Sequence, residues 1–136
     1  MKPSTLEWIK KAESDYQLAV ALSRRRKVAF CDQTCFHCQQ SAEKFLKARL
    51  EEANIVSPKT HDLKKLLSLL LPAQPLWAAM LPSLAALSQY AVEFRYPGSE
   101  ATSGDVKDAI QHAKIVRREV RLAFGLKTLN GPYRLS

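Results

Sequence analysis

The sequence predicts an all-α protein, an up-and-down helical bundle of four to five main helices. Three observations predict it. Apolar residues recur at three- and four-residue spacing along each long segment. No stretch of useful length alternates with the two-residue period of a strand. Connections between the periodic segments are mostly short, so consecutive helices should pack antiparallel.

The first helix is expected from about Thr5 to Leu22, opened by a capping box of Ser4 and Glu7. Trp8, Ile9, Ala12, Tyr16, Ala19 and Ser23 share one of its faces. Arg24-Arg25-Arg26-Lys27 then breaks the pattern. That run reads either as a solvated helix end, where cations complement the helix dipole, or as an anion contact. The second helix is expected from about Phe30 to Ala53, with Asn54 at its C-terminal end. Thr60 is a candidate N-cap for the third, with Asp62 in its first turn. Leu63, Leu66, Leu67 and Leu70 form the apolar face of that helix, which stops before Pro72. A short helix is expected over Leu76 to Leu81. Pro82 suits the first turn of the fourth main helix, which should reach Phe94 with Leu84, Leu87, Ala91 and Phe94 inward. Thr102 or Ser103 can cap the fifth, which runs to Phe124 with Gly125 as C-cap. Val106, Ala109, Ala113, Val116 and Val120 are its inward face. Residues 1–125 therefore form one domain and residues 126–136 a loosely ordered tail.

A chain of 136 residues buries roughly two thirds of its unfolded surface and needs no covalent staples. Cys31, Cys35 and Cys38 are odd in number and lie on one predicted helix, so they read as small reduced thiols rather than disulfides or a metal site. The opening Met1-Lys2-Pro3-Ser4 does not look like a secretory signal. No apolar run approaches the ~20 residues of a membrane span. A cytoplasmic protein with no membrane partner is the expectation. The net charge of +8 favours anionic partners without saying which anion.

The second helix carries the most informative pattern. At 100° per residue, His37, Gln40, Ser41 and Lys44 share one face, while Cys35, Ala42, Phe45, Leu46 and Leu50 occupy the opposite arc. The polar face suits a phosphate or nucleobase contact, a dimer seam or plain solvent, and the residues alone leave these open. Gln39 and Glu43 fall inside the apolar arc, where a polar group needs a partner. Arg95, at the end of the fourth helix, is the natural candidate for Glu43, in a pair that would pin the loop at Tyr96-Pro97. His61 and Asp62 read either as helix-start residues or as ligand contacts. On the fifth helix Lys107, Lys114, Arg118 and Arg121 fall within one narrow arc with no acid inside it. That stripe suits RNA or an acidic protein. Without interleaved aromatics it favours contact with a nucleic-acid backbone over reading of bases.

Four features in order resemble a HEPN domain, the helical family named for higher eukaryotes and prokaryotes nucleotide-binding. Trp8, Ala12 and Asp15 come first, then Phe36-His37-Cys38-Gln39-Gln40-Ser41-Ala42-Glu43-Lys44. Thr60-His61-Asp62-Leu63 and Arg95-Tyr96-Pro97 follow, and a last helix with core alanines completes the series. The resemblance implies a homodimer, and a nucleotide as possible ligand with no required cofactor. It also implies a small nucleotidyltransferase as partner, in toxin–antitoxin or defence systems. Its ribonuclease members carry Arg and then His, with four to six residues between them. Here the corresponding positions after Arg95 are Glu100, Ala101 and Thr102, at five to seven residues. The chain therefore reads as a non-catalytic nucleotide- or anion-binding module with ligand residues His37, Gln40, Ser41, Lys44, His61, Arg95 and Tyr96. Gln39, Glu43 and Asp62 read as structural polar groups. The alternative is an RNA-targeting, toxin-like protein with a non-standard or degenerate site.

Overall fold

The computed structural model describes residues 1–91 and 97–128. Among these, five α-helices and two 3₁₀ turns follow one another without a strand. They are α1 (Pro3–Arg24), α2 (Cys31–Glu52), α3 (Leu63–Leu70), α4 (Leu81–Gln89) and α5 (Ser103–Ala123). The 3₁₀ turns, Val28–Phe30 and Pro75–Met80, lead into α2 and α4.

The central helix is α2, which packs against each of the other four. Its sequence explains this, because Cys35, Cys38, Ala42, Phe45, Leu46, Ala48 and Leu50 are all fully buried. Small residues let α1 approach closely: the buried Ser41 hydroxyl donates to the Ala12 carbonyl at 2.9 Å. On the other side of α2, Leu63, Leu66 and Leu70 of α3 and Leu84 and Leu87 of α4 close the core. Ala109, Ala113, Val116 and Val120 seat α5.

Several helix ends differ from the sequence expectation. At the start of α1 the N-cap is Lys2, with Pro3 in the first turn and no side-chain cap. Ser4 is already helical, and its hydroxyl donates to Glu51 Oε1 at 2.8 Å, so the expected box with Glu7 does not form. Proline at N1 explains the shift, since its fixed φ starts the helix there. The cap of α3 is Asp62, whose carboxylate accepts the Lys64 N–H, while Thr60 accepts the Asp62 N–H at 3.0 Å. The segment expected as a short helix over Leu76 to Leu81 is the second 3₁₀ turn. The fourth helix ends at Gln89, and Phe94 lies outside the described residues. Thr102 caps α5 in a reciprocal box with Asp105.

Two helices end in Schellman motifs. At α2, Ile55 N–H bonds the Leu50 carbonyl and Asn54 takes φ 59°. At α5, Leu126 N–H bonds the Arg121 carbonyl and Gly125 takes φ 70°. Leu126 and Lys127 are thus tied to α5; of the expected tail, residues 129–136 lie outside the described residues.

Candidate functional site

The polar face of α2 is largely occupied by neighbouring elements. Asp15 of α1 sits between His37 and Lys44 of α2. Its Oδ1 lies 2.9 Å from His37 Nδ1, and its Oδ2 accepts from the Lys44 ammonium. Gln40 donates to Gln39 Oε1 at 2.8 Å. Ser41 is fully buried on α1, which removes it as a ligand contact. The physical reason is the small Ala12 opposite, which draws the α1 backbone onto the hydroxyl.

Gln39 and Glu43 have partners, as their placement on an apolar arc demands. Glu43 Oε1 meets His61 Nδ1 at 2.8 Å, and Oε2 accepts from Lys47 at 3.0 Å. Gln39 donates to Glu43 Oε1 and to the His61 carbonyl. Burial works to raise the Glu43 pKa, but the hydrogen bonds from His61, Lys47 and Gln39 outweigh it and hold the carboxyl below its ordinary range. The network locks the loop before α3 onto α2. Arg95 and Tyr96, the other expected contacts, lie outside the described residues.

A second polar cluster escaped the sequence reading. Glu13 is fully buried, and Arg117 Nε donates to both of its carboxylate oxygens, at 3.1 and 2.9 Å. Arg121 Nη1 donates to Glu13 Oε1 at 3.0 Å, and its Nε donates to the Lys127 carbonyl. The Arg117 guanidinium also lies 5.0 Å from the centroid of Tyr16. Arg121 is only 2 % exposed, so it does not belong to the outward stripe. It stands four residues beyond Arg117, on the side of α5 that meets α1, and the Glu13 carboxylate holds it there. A signal was present in the sequence: Glu13 lies four residues after Ile9 and three before Tyr16, on the apolar face of α1.

Lys107 and Arg118 remain exposed on α5, and Lys114 is half-buried. Lys107 also lines a cavity of about 890 Å³ between the α1–α2 connection and the first turns of α5. Leu22, Phe30, Val106 and Ile110 give the cavity apolar walls, and Arg26 and Lys27 join Lys107 as its cations. All three cations are exposed, and among the described residues none has a carboxylate within 4.0 Å. Glu100 supplies the carboxylate of the lining. The wall is held in place by Asp32, whose Oδ1 accepts the Ala101 N–H at 2.6 Å.

Arg26 takes φ 52°, the left-handed position just past α1 that glycine ordinarily fills. The cavity can therefore enclose an apolar ring while offering cations to attached anions. Cys31, on its lining, and Cys35 and Cys38 are buried, and none of the three is in a disulfide among the described residues. No group of three His, Cys, Asp or Glu side chains among the described residues is placed to hold a metal ion. No helix among them is long and apolar enough to cross a membrane.

Comparison with known proteins bears on the same architecture. The crystal structure of an archaeal HEPN homologue superposes with a TM-score of 0.72 at 24 % identity. The match covers 90 % of this chain and 98 % of that one. No curated protein matches the sequence. The family model of the HEPN domain matches residues 5–123, nearly the whole bundle, and the chain belongs to the HEPN family.

Proposed function

We propose that this chain is a non-catalytic HEPN module that binds a nucleotide or a related anion in the cavity between the α1–α2 connection and α5. The observation that carries this reading is the meeting of apolar walls with three cations, Arg26, Lys27 and Lys107, that have no carboxylate partner among the described residues. A base packs against Phe30, Val106 and Ile110, where burial rewards an apolar ring. Its phosphates reach the cations and keep away from the Glu100 carboxylate, which also lines the cavity. The N-cap Thr102 and the first residue of α5, Ser103, also line the cavity, so the positive end of that helix faces the ligand. His37 and Lys44 are engaged with Asp15 and serve the fold.

The module works as a homodimer in the cytoplasm, beside a small nucleotidyltransferase in a toxin–antitoxin or defence-like setting. Family membership supports this part, together with the missing Arg–His spacing after Arg95. The test is a titration with fluorescent ATP and GTP analogues, with Lys27→Glu and Lys107→Glu alongside. Each charge reversal should weaken binding at least tenfold, or about 1.4 kcal/mol. Equal binding by all three proteins sinks the cavity reading. The RNA-targeting alternative is favoured by the net charge and the basic stripe. It wins if labelled RNA is cleaved and Arg95→Ala abolishes the cleavage.

A further inference from the structure

The cavity does not end where its walls end. Lys107 and Gln111 line it, and Lys114 and Arg118 continue the same face of α5. From Lys107 to Arg118 the helix rises about 16 Å, at ~1.5 Å per residue. The acids of α5, Asp105, Asp108 and Glu119, lie roughly 100° to 160° round the helix from this line. Among the described residues, Lys114 and Arg118 have no carboxylate within 4.0 Å. Five cations, Arg26, Lys27, Lys107, Lys114 and Arg118, therefore run from the cavity along α5 with no ion-pair partner among the described residues.

We infer that the cavity receives the end of a linear phosphate chain, whose following phosphates lie along this line. The inference rests on the cavity being the anion site. A single nucleotide reaches Arg26, Lys27 and Lys107 but leaves Lys114 and Arg118 unused. About 16 Å accommodates roughly four or five phosphates at the ~3.4 Å rise of a stacked strand. No aromatic residue stands between Lys107 and Arg118, so bases along the track have no stacking platform. Contact there is with phosphate charge alone. A single-stranded nucleic acid and inorganic polyphosphate both present that chemistry.

The experiment measures binding of fluorescent oligo(dT) of one to twelve nucleotides to wild-type protein and to Lys114→Gln/Arg118→Gln. Affinity should climb at least tenfold from the mononucleotide to about six nucleotides and then flatten. The slope of log affinity against log salt should approach about −3.5 for five contacts. In the double variant it should fall to about −2.1, while mononucleotide binding stays unchanged. Unlabelled polyphosphate of matched phosphate count should compete with the hexamer. A hexamer no tighter than a mononucleotide, or a length gain that survives in the double variant, overturns the track and leaves the cavity reading standing. Loss of mononucleotide and hexamer binding together sinks both. Failure of polyphosphate to compete refutes contact by charge alone.

Discussion

Replacing Glu13 with Gln tests the buried core of the bundle most severely. Glu13 has no solvent exposure and accepts three hydrogen bonds from two guanidinium groups. Glutamine keeps one acceptor oxygen, loses the charge, and turns an NH₂ toward donors that it cannot satisfy. Two buried cations are left without their shared carboxylate. Breaking such a cluster from one side costs about 3–5 kcal/mol. At ~2.1 cal/mol/K per residue, the unfolding entropy of a chain this long is roughly 0.29 kcal/mol/K. The melting temperature should therefore fall by about 10–17 °C. Total stability for this length is on the order of 7–20 kcal/mol, so the variant still folds in most of that range. Thermal unfolding followed by circular dichroism reads the shift. A triple variant, Glu13→Leu with Arg117→Met and Arg121→Met, should recover most of the loss, because apolar groups of similar volume replace the whole cluster. A fall below about 3 °C in Glu13→Gln, equivalent to ~1 kcal/mol, refutes the reasoning that this cluster ties α1 to α5.

Other perturbations separate fold from binding. Arg26→Gly relieves the left-handed φ of 52° and should raise stability by about 0.5–1 kcal/mol, while weakening nucleotide binding about tenfold; a variant that binds normally contradicts a role for the side chain. Asp15→Asn, which loosens His37 and Lys44, should lower the melting temperature without changing nucleotide affinity, and an affinity loss would return the site to α2. The Glu43 pKa is depressed in the folded state, so its hydrogen bonds and its ion pair with Lys47 stabilise at neutral pH, and that contribution disappears as pH falls through the folded value. Glu43→Gln should therefore be less stable than wild type at pH 7 and converge with it under acid; a gap independent of pH would contradict the assigned network.

Much of the fold was legible because its signals are local and periodic. Leu63, Leu66, Leu67 and Leu70 of α3, Ala109, Ala113, Val116 and Val120 of α5 and the apolar arc of α2 lie buried where their spacing placed them, while Val106 is half-buried at the rim of the core. The demand that Gln39 and Glu43 find partners was legible for the same reason, since a carboxylate on an apolar arc is costly. Which partners they find was not. His61 reaches Glu43 from the loop before α3, and chain spacing does not carry that contact. Arg121 shows the limit of a helical wheel drawn in isolation. Its arc is polar and looks outward, yet α1 brings Glu13 to that edge of α5 and the guanidinium turns in. The cavity was the least legible feature. It joins the basic run after α1 to the opening turns of α5, segments about eighty residues apart whose approach only the packed bundle defines. The Arg24 to Lys27 run did carry an anion-contact reading, but its counterpart at Lys107 appeared only as part of a separate stripe.

Amide chemical-shift mapping with ATP on ¹⁵N-labelled protein tests the central claim most directly, because it locates the ligand as well as detecting it. The account predicts perturbations concentrated at Arg26, Lys27, Val28, Ala101, Thr102 and Lys107, the residues of the cavity and its rim. Perturbations centred instead on His37, Gln40 and Lys44, or none at millimolar nucleotide, would contradict it.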